Sequence, residues 1–174
     1  SAGGYPITEN FIYTVEGIQS YLSCLEPSGI LAVTVWNRLN PPRNVPKLLS
    51  TVVTALQQNG IQQPEQHIFV FDLLLSTATV LVKKTPFERG EIETLLEFCK
   101  KMSFNPCYYP GKGDPPRSFE EILVGYDRQM KGETATTDLF PEELYHYTVS
   151  WLTQGRGEEV YRRYIFNIGP ATDD

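Results

Sequence analysis

Histidine is almost missing from this sequence. His67 and His146 are the only two in 174 residues, and neither stands in an H-x-x-x-H or H-E-x-x-H context. That removes the spacing on which a helical zinc site is built. Cysteine is scarce too: Cys24, Cys99 and Cys107 are odd in number and show no C-x-x-C spacing, so a disulfide framework is not expected and the thiols suit a reducing compartment. Cys24 and Cys99 fall on apolar stripes of predicted helices, where cysteine packs rather than reacts. Positive charge is in deficit, with 15 Lys and Arg against 21 Asp and Glu, a net charge of −6 and a pI of about 5.0. A nucleic-acid partner is therefore not expected, because phosphate binding needs clustered cations.

Long apolar runs and secretory leader patterns are absent as well. Without about 18 consecutive apolar residues the chain is not expected to insert into a membrane directly, and with the thiol pattern above a cytoplasmic location is expected. Gly111-Lys112-Gly113-Asp114 superficially resembles a phosphate loop, but neither G-x-x-x-x-G-K-[ST] nor G-x-G-x-x-G is present, so it reads as a surface turn. The first residues, Ser1-Ala2-Gly3-Gly4, include no initiator Met and read as the start of a truncated chain.

What is present is a hydrophobic fraction of 41%, enough for a folded core, organised around Leu25 to Trp36. Apolar residues Phe11, Val15, Ile18, Leu22 and Leu25 recur at helical steps over Thr8 to Leu25. Pro27-Ser28-Gly29 then stops the helix, and Ile30 to Trp36 is a β-branched apolar run expected to be buried on both faces. Val45 to Asn59 carries Leu48, Leu49, Val52, Val53 and Leu56 on one stripe, with Gly60 at the cap. His67 to Phe71 and Thr77 to Lys84 read as strands joined too closely for a parallel crossover, hence an antiparallel hairpin in a partly parallel sheet.

Beyond Thr85 the pattern turns helical: Glu91 to Met102, Ser118 to Met130 behind a Ser118/Glu121 capping box, Pro141 to Gln154, and Glu158 to Tyr164. Phe104 to Arg117 is rich in Pro and Gly and reads as a loop. The division expected is residues 1–84 as an α/β part and 85–174 as a mainly helical C-terminal appendage.

Ligands of open α/β sheets bind beyond the carboxyl ends of the strands. That points to Trp36, Asn37, Arg38 and Arg43 as candidate substrate-binding residues, the guanidinium groups being suited to forking onto a carboxylate or phosphate. Tyr5, Phe11, Tyr13 and Tyr21 are expected to pack, and the terminal Asp173 and Asp174 to be solvated. No catalytic or metal-ligating residue is assigned.

The stretches Thr8 to Gly17, Leu25-Glu26-Pro27-Ser28-Gly29-Ile30-Leu31, Pro41-Pro42-Arg43 and Pro170-Ala171-Thr172-Asp173-Asp174 resemble the later half of bacterial spermidine-synthase-like proteins. The resemblance implies a class I S-adenosylmethionine-dependent methyltransferase fold. Ile30 to Trp36, His67 to Phe71 and Thr77 to Lys84 would then be strands five, six and seven of a truncated Rossmann-like half, with strand seven antiparallel in the hairpin and set beside strand five. It implies a parent transferase using S-adenosylmethionine or its decarboxylated form. The fragment itself would hold no cofactor and be catalytically silent, because the family's cofactor-binding elements would precede Ser1. Members of this group are often membrane-anchored, which would place this part on the cytoplasmic side. Trp36-Asn37-Arg38-Leu39-Asn40 stands where true spermidine synthases carry an acid, which argues against a polyamine substrate. The competing expectation is a non-enzymatic interaction or dimerisation module. In either case self-association through the edge of Ile30 to Trp36 or nearby helices is expected, alongside contact with the rest of a parent chain.

Overall fold

The computed structural model describes residues 13–37, 41–73, 76–133 and 141–173. These hold a mixed α/β arrangement of six α-helices and one four-stranded sheet. In chain order the elements are α1 (Val15–Cys24), β1 (Ile30–Trp36), α2 (Asn44–Gln58), β2 (Ile68–Leu73), β3 (Thr77–Lys83), α3 (Arg89–Met102), β4 (Asn105–Tyr108), α4 (Phe119–Met130), α5 (Pro141–Thr153) and α6 (Gly157–Arg163).

Local chemistry sets most of these boundaries. Thr14 caps α1, its Oγ1 accepting from Gly17 N at 3.1 Å, and Val15, Ile18 and Leu22 form the buried face. The part of the expected helix from Thr8 to Ile12 lies outside the described residues. Cys24 is exposed rather than packed, because it sits about 200° around the helix from Leu22. At Leu25 the backbone is extended, and Gly29 N then closes a turn onto Glu26 O at 2.9 Å. A Cβ at Gly29 would stand 3.0 Å from that oxygen and 3.1 Å from the Leu25 Cβ, so the turn needs glycine for space. Ser118 and Glu121 form the expected capping box of α4, and Glu88 with Glu91 forms a second one that opens α3.

The sheet runs β1-β3-β2-β4, and every neighbouring pair is antiparallel. The expected partly parallel sheet is corrected on this point: β1 and β2 share a direction, but β3 lies between them. All seven residues of β1 pair with β3, from Ile30 opposite Lys83 to Trp36 opposite Thr77. Among the described residues β3 is the only strand beside β1, which leaves β1 at an edge. The expectation that β1 is buried on both faces also fails. Leu31, Val33 and Val35 point into the core, whereas Ile30, Ala32, Thr34 and Trp36 are exposed, since an edge strand shielded from one side keeps the period-two alternation.

A third correction concerns the Pro/Gly-rich stretch read as loop, which contains β4. It pairs with β2 across a register shift between Val70 and Phe71, where Pro106 is accommodated.

One sheet face is covered by α1, α2 and α5, with Val33, Val52, Val80, Tyr145 and Val149 fully or almost fully buried between them. Cys107, Tyr108, Tyr145 and Leu152, all beyond Lys84, share that core with Val15 and Val33. The opposite face is covered by α3 over β2, where Phe69, Phe71, Leu81 and Phe87 meet Cys99. A separate cluster joins α4, α5 and α6 through Phe119, Tyr126, Trp151 and Tyr164. Among the described residues no helix is long and apolar enough to cross a membrane.

Candidate functional site

The carboxyl end of β1 sends two consecutive side chains in opposite directions, as the pleat requires. Trp36, 59% exposed, faces outward into a cavity of about 420 Å³. Asn37, 4% exposed, turns inward to a polar cluster.

Three parts of the chain build the cavity. β1 contributes Thr34, Val35 and Trp36, and α2 contributes Asn44, Lys47, Leu48 and Thr51. The start of α1 brings Tyr13 and Thr14, and the C-terminal segment brings Ala171 and Thr172. That segment is held by Val15 N donating to Ala171 O at 2.8 Å, Ala171 N donating to Thr51 Oγ1 at 3.1 Å, and Asp173 N donating to Glu16 Oε2 at 3.1 Å. Most of the threonine hydroxyls have protein partners. Thr34 and Thr79 share a hydrogen bond of 2.8 Å, Thr51 donates to Lys47 O at 3.0 Å, and Thr14 accepts from Gly17. Among the described lining residues Lys47 carries the one formal charge.

Behind the strand end, Asn37 Nδ2 donates to Asp72 Oδ2 at 3.0 Å and Asn37 Oδ1 accepts from the Tyr145 hydroxyl. Asn37 N also donates to Ser76 O at 2.8 Å, so its backbone and side chain are both fixed. Asp72 is 1% exposed, and its Oδ1 has no well-formed hydrogen bond. Burial pushes this carboxyl from 3.8 up to about 6; nearby Asn105, Cys107 and Asn37 offset part of the shift, and the charge of Glu142 adds to it. Burial likewise raises Glu142 and holds the Cys107 thiol well above its ordinary range, which makes Cys107 a poor nucleophile. Lys112 donates to Pro106 O at 2.7 Å and Cys107 O at 3.0 Å, and its partial burial lowers its pKa. This cluster fixes Asn37, and through it the direction of Trp36; Asp72 is itself too buried to meet a substrate in this conformation.

Of the four residues expected from the sequence, then, Trp36 lines the cavity and Asn37 anchors the strand end from behind. Arg43 is exposed at the N-cap of α2 and is not among the lining residues. Arg38 lies outside the described residues. The sequence reading missed Lys47, Thr34 and Thr172, which come from a helix face, a strand and a terminal segment with no common motif. Among the described residues no three His, Cys, Asp or Glu side chains are grouped as a metal site. No family model, curated protein or solved structure matches this chain.

Proposed function

We propose that the chain is the C-terminal half of a spermidine-synthase-like, S-adenosylmethionine-type transferase domain, silent alone, with the Trp36 end of β1 facing the acceptor substrate. The observation that carries this reading is the order β1-β3-β2, in which β1 directly follows an L-x-P-x-G turn and the later strand β3 is inserted antiparallel between two strands of common direction. That is the order the resemblance requires for strands five, seven and six. The side of β1 that no described strand covers is where strand four of such a domain would pair. Rossmann-like closure of the sheet, the donor cofactor and a cytoplasmic setting all belong to this proposal.

Calorimetry tests it. The chain alone is expected to bind neither S-adenosylmethionine nor its decarboxylated form. A chain extended upstream in its own reading frame through a strand and a G-x-G-x-G turn is expected to bind one of them with micromolar affinity. Micromolar binding by the 174-residue chain, or an upstream region without that turn, overturns the reading.

A second reading is favoured by the same edge. Ile30–Trp36 has no charge, proline or bulge to discourage pairing, and Ile30 and Trp36 are exposed. Such a strand suits a dimerisation module in which β1 of two copies pair. Sedimentation that is strictly monomeric at high protein concentration counts against it.

A further inference from the structure

The row of β2 that faces α5 is apolar until its last place. The pleat sets Asp72 in line with Ile68 and Val70, so a carboxyl stands where the pattern calls for a core residue, and it is buried as a core residue is. Among the described residues, the titratable groups facing Asp72 and Glu142 are Cys107 of β4, Lys112 of the following loop, Tyr126 of α4 and Tyr145 of α5, with the Arg117–Glu143 ion pair beside Glu142. Three buried polar atoms of this cluster have no hydrogen-bond partner among the described residues: Asp72 Oδ1, Glu142 Oε2 and the Tyr126 hydroxyl. Lys112 already spends two donors on Pro106 O and Cys107 O. One ammonium thus faces two acids, and with both ionised the cluster holds an excess negative charge away from water, which is costly. Glu142 lies in the first turn of α5, and the loop 109–117 is tied to that end of the helix. Arg117 pairs with Glu143 at 2.6 Å, the Tyr147 hydroxyl donates to Arg117 O at 2.9 Å, and His146 Nε2 stands 3.0 Å from Asp114 Oδ1. Displacing the turn carries the loop with it.

We propose that Asp72 and Glu142 form a latch between the end of β2 and the first turn of α5, shut while the pair holds a proton and opening when both are charged. Opening bares the Asp72 end of β2 and the Cys107 thiol beside it, and frees Asn37, which bonds both Asp72 and Tyr145. The latch needs neither a donor cofactor nor a second copy, so it stands apart from both readings above.

Two buried thiols read the latch. Cys107 lies in the core under α5, and Cys99 lies on the inner face of α3 across the sheet. The whole chain is labelled with 4,4′-dithiodipyridine, and mass spectrometry gives the rate at Cys107 relative to Cys99 at each pH. Global unfolding labels the two alike. Asp72 has an ordinary value of 3.8 and a value of about 6 in the shut state, so opening is favoured as pH rises through that range and levels off above it. The ratio is expected to rise about tenfold between about pH 5 and about pH 7.5. A latch that stays shut gives the opposite sign, because charged Asp72 and Glu142 raise the Cys107 pKa and slow its labelling. Asp72→Asn should abolish the rise. Glu142→Gln, at a partly exposed position, should reduce it, and a cooperative melting transition shows that each variant is folded. A flat or falling ratio in the wild type, or an undiminished rise in either folded variant, would overturn the proposal.

Discussion

The two sides of the sheet are covered unequally, and the inequality runs across β1. On one side α1, α2 and α5 bury Leu31, Val33 and Val35 together with Val80 and Val82. On the other, α3 covers β2 and the near part of β3, so that Phe69 is fully buried while Ile30 and Trp36, on the same face, are 42% and 59% exposed. Residues of nearly the same chemistry thus sit in a core at one end of a face and in water at the other. Stability is concentrated at β2 and β3, and the freedom to meet a ligand or another strand is concentrated at β1. Substitutions along this face should therefore split into large effects at one end and small ones at the other.

The largest effect is expected at Phe69. Its ring stacks on Tyr109 with centroids 5.7 Å apart and meets Phe71 and Phe87 edge-on at 6.4 and 6.2 Å. Phe69→Ala should destabilise the chain by about 3–5 kcal/mol in chemical denaturation. A loss under about 1 kcal/mol would mean that the face under α3 is not the firm one.

Next comes the ion pair on the same face. Lys83 is 3% exposed, opposite Ile30 in the register, and its Nζ stands 2.5 Å from Glu91 Oε1 and 5.4 Å from the centre of the Phe87 ring. Glu91→Gln leaves that ammonium without a counter-charge, and a loss of about 1–3 kcal/mol is expected, discounted because Glu91 is itself partly exposed. The hydrogen bond from Lys83 holds the Glu91 carboxyl below its ordinary pKa. Its contribution is therefore present above the unfolded-state pKa and is lost as pH falls through the folded one. The wild-type advantage over Glu91→Gln should shrink in acid; a constant gap would place the effect elsewhere.

How far this was readable beforehand depends on what each residue needed in order to be understood. The helices were legible because Ile18 and Leu22, or Leu49, Val52, Val53 and Leu56, declare a face by spacing alone. The hairpin was legible because the link between β2 and β3 is too short for a crossover. β4 was not, since Asn105-Pro106-Cys107-Tyr108 sets a single strong β former, Tyr108, beside Asn and Pro and becomes a strand by pairing across a register shift on β2. The exposure of Ile30 and Trp36 was hidden for a similar reason: an apolar run looks the same at an edge as in the centre, and the neighbours decide. At the site, Trp36 followed from the strand-end rule, whereas Lys47 and Thr172 are 125 residues apart and are brought to one cavity by the hydrogen bonds that hold the C-terminal segment at Ala171 and Asp173.

The buried cluster behind Asn37 offers a gain rather than a loss. Asp72 has a folded pKa of about 6, above its ordinary 3.8, so the folded state holds its proton more tightly than the unfolded state. Stability from this group is full below about 3.8, falls as pH rises to about 6, and is flat above. Asp72→Asn should remove that decline while still accepting from Asn37. A stabilisation of about 1–3 kcal/mol at pH 7.5 is expected, fading to nothing below pH 4. Loss of stability at neutral pH would show that the carboxylate is needed in its charged form, and would make Asp72 a functional group rather than an anchor.

The smallest effect on stability belongs to the bare end. Ala32 is exposed, midway along the outer row of β1, and faces Leu81 across the ladder. Ala32→Lys should change stability by under about 0.5 kcal/mol, because position 32 is exposed and a lysine there keeps its ammonium in water. Its consequence lies in association. Antiparallel pairing of two β1 strands about Val33 sets position 32 opposite Thr34 of the second copy, so the substitution puts two like charges within one short ladder. If β1 pairs with itself, Ala32→Lys should turn a concentration-dependent sedimentation profile into a monomeric one with the melting transition unchanged. If association persists, the strand edge is not the contact, and the unequal covering of the sheet is a property of ligand access alone.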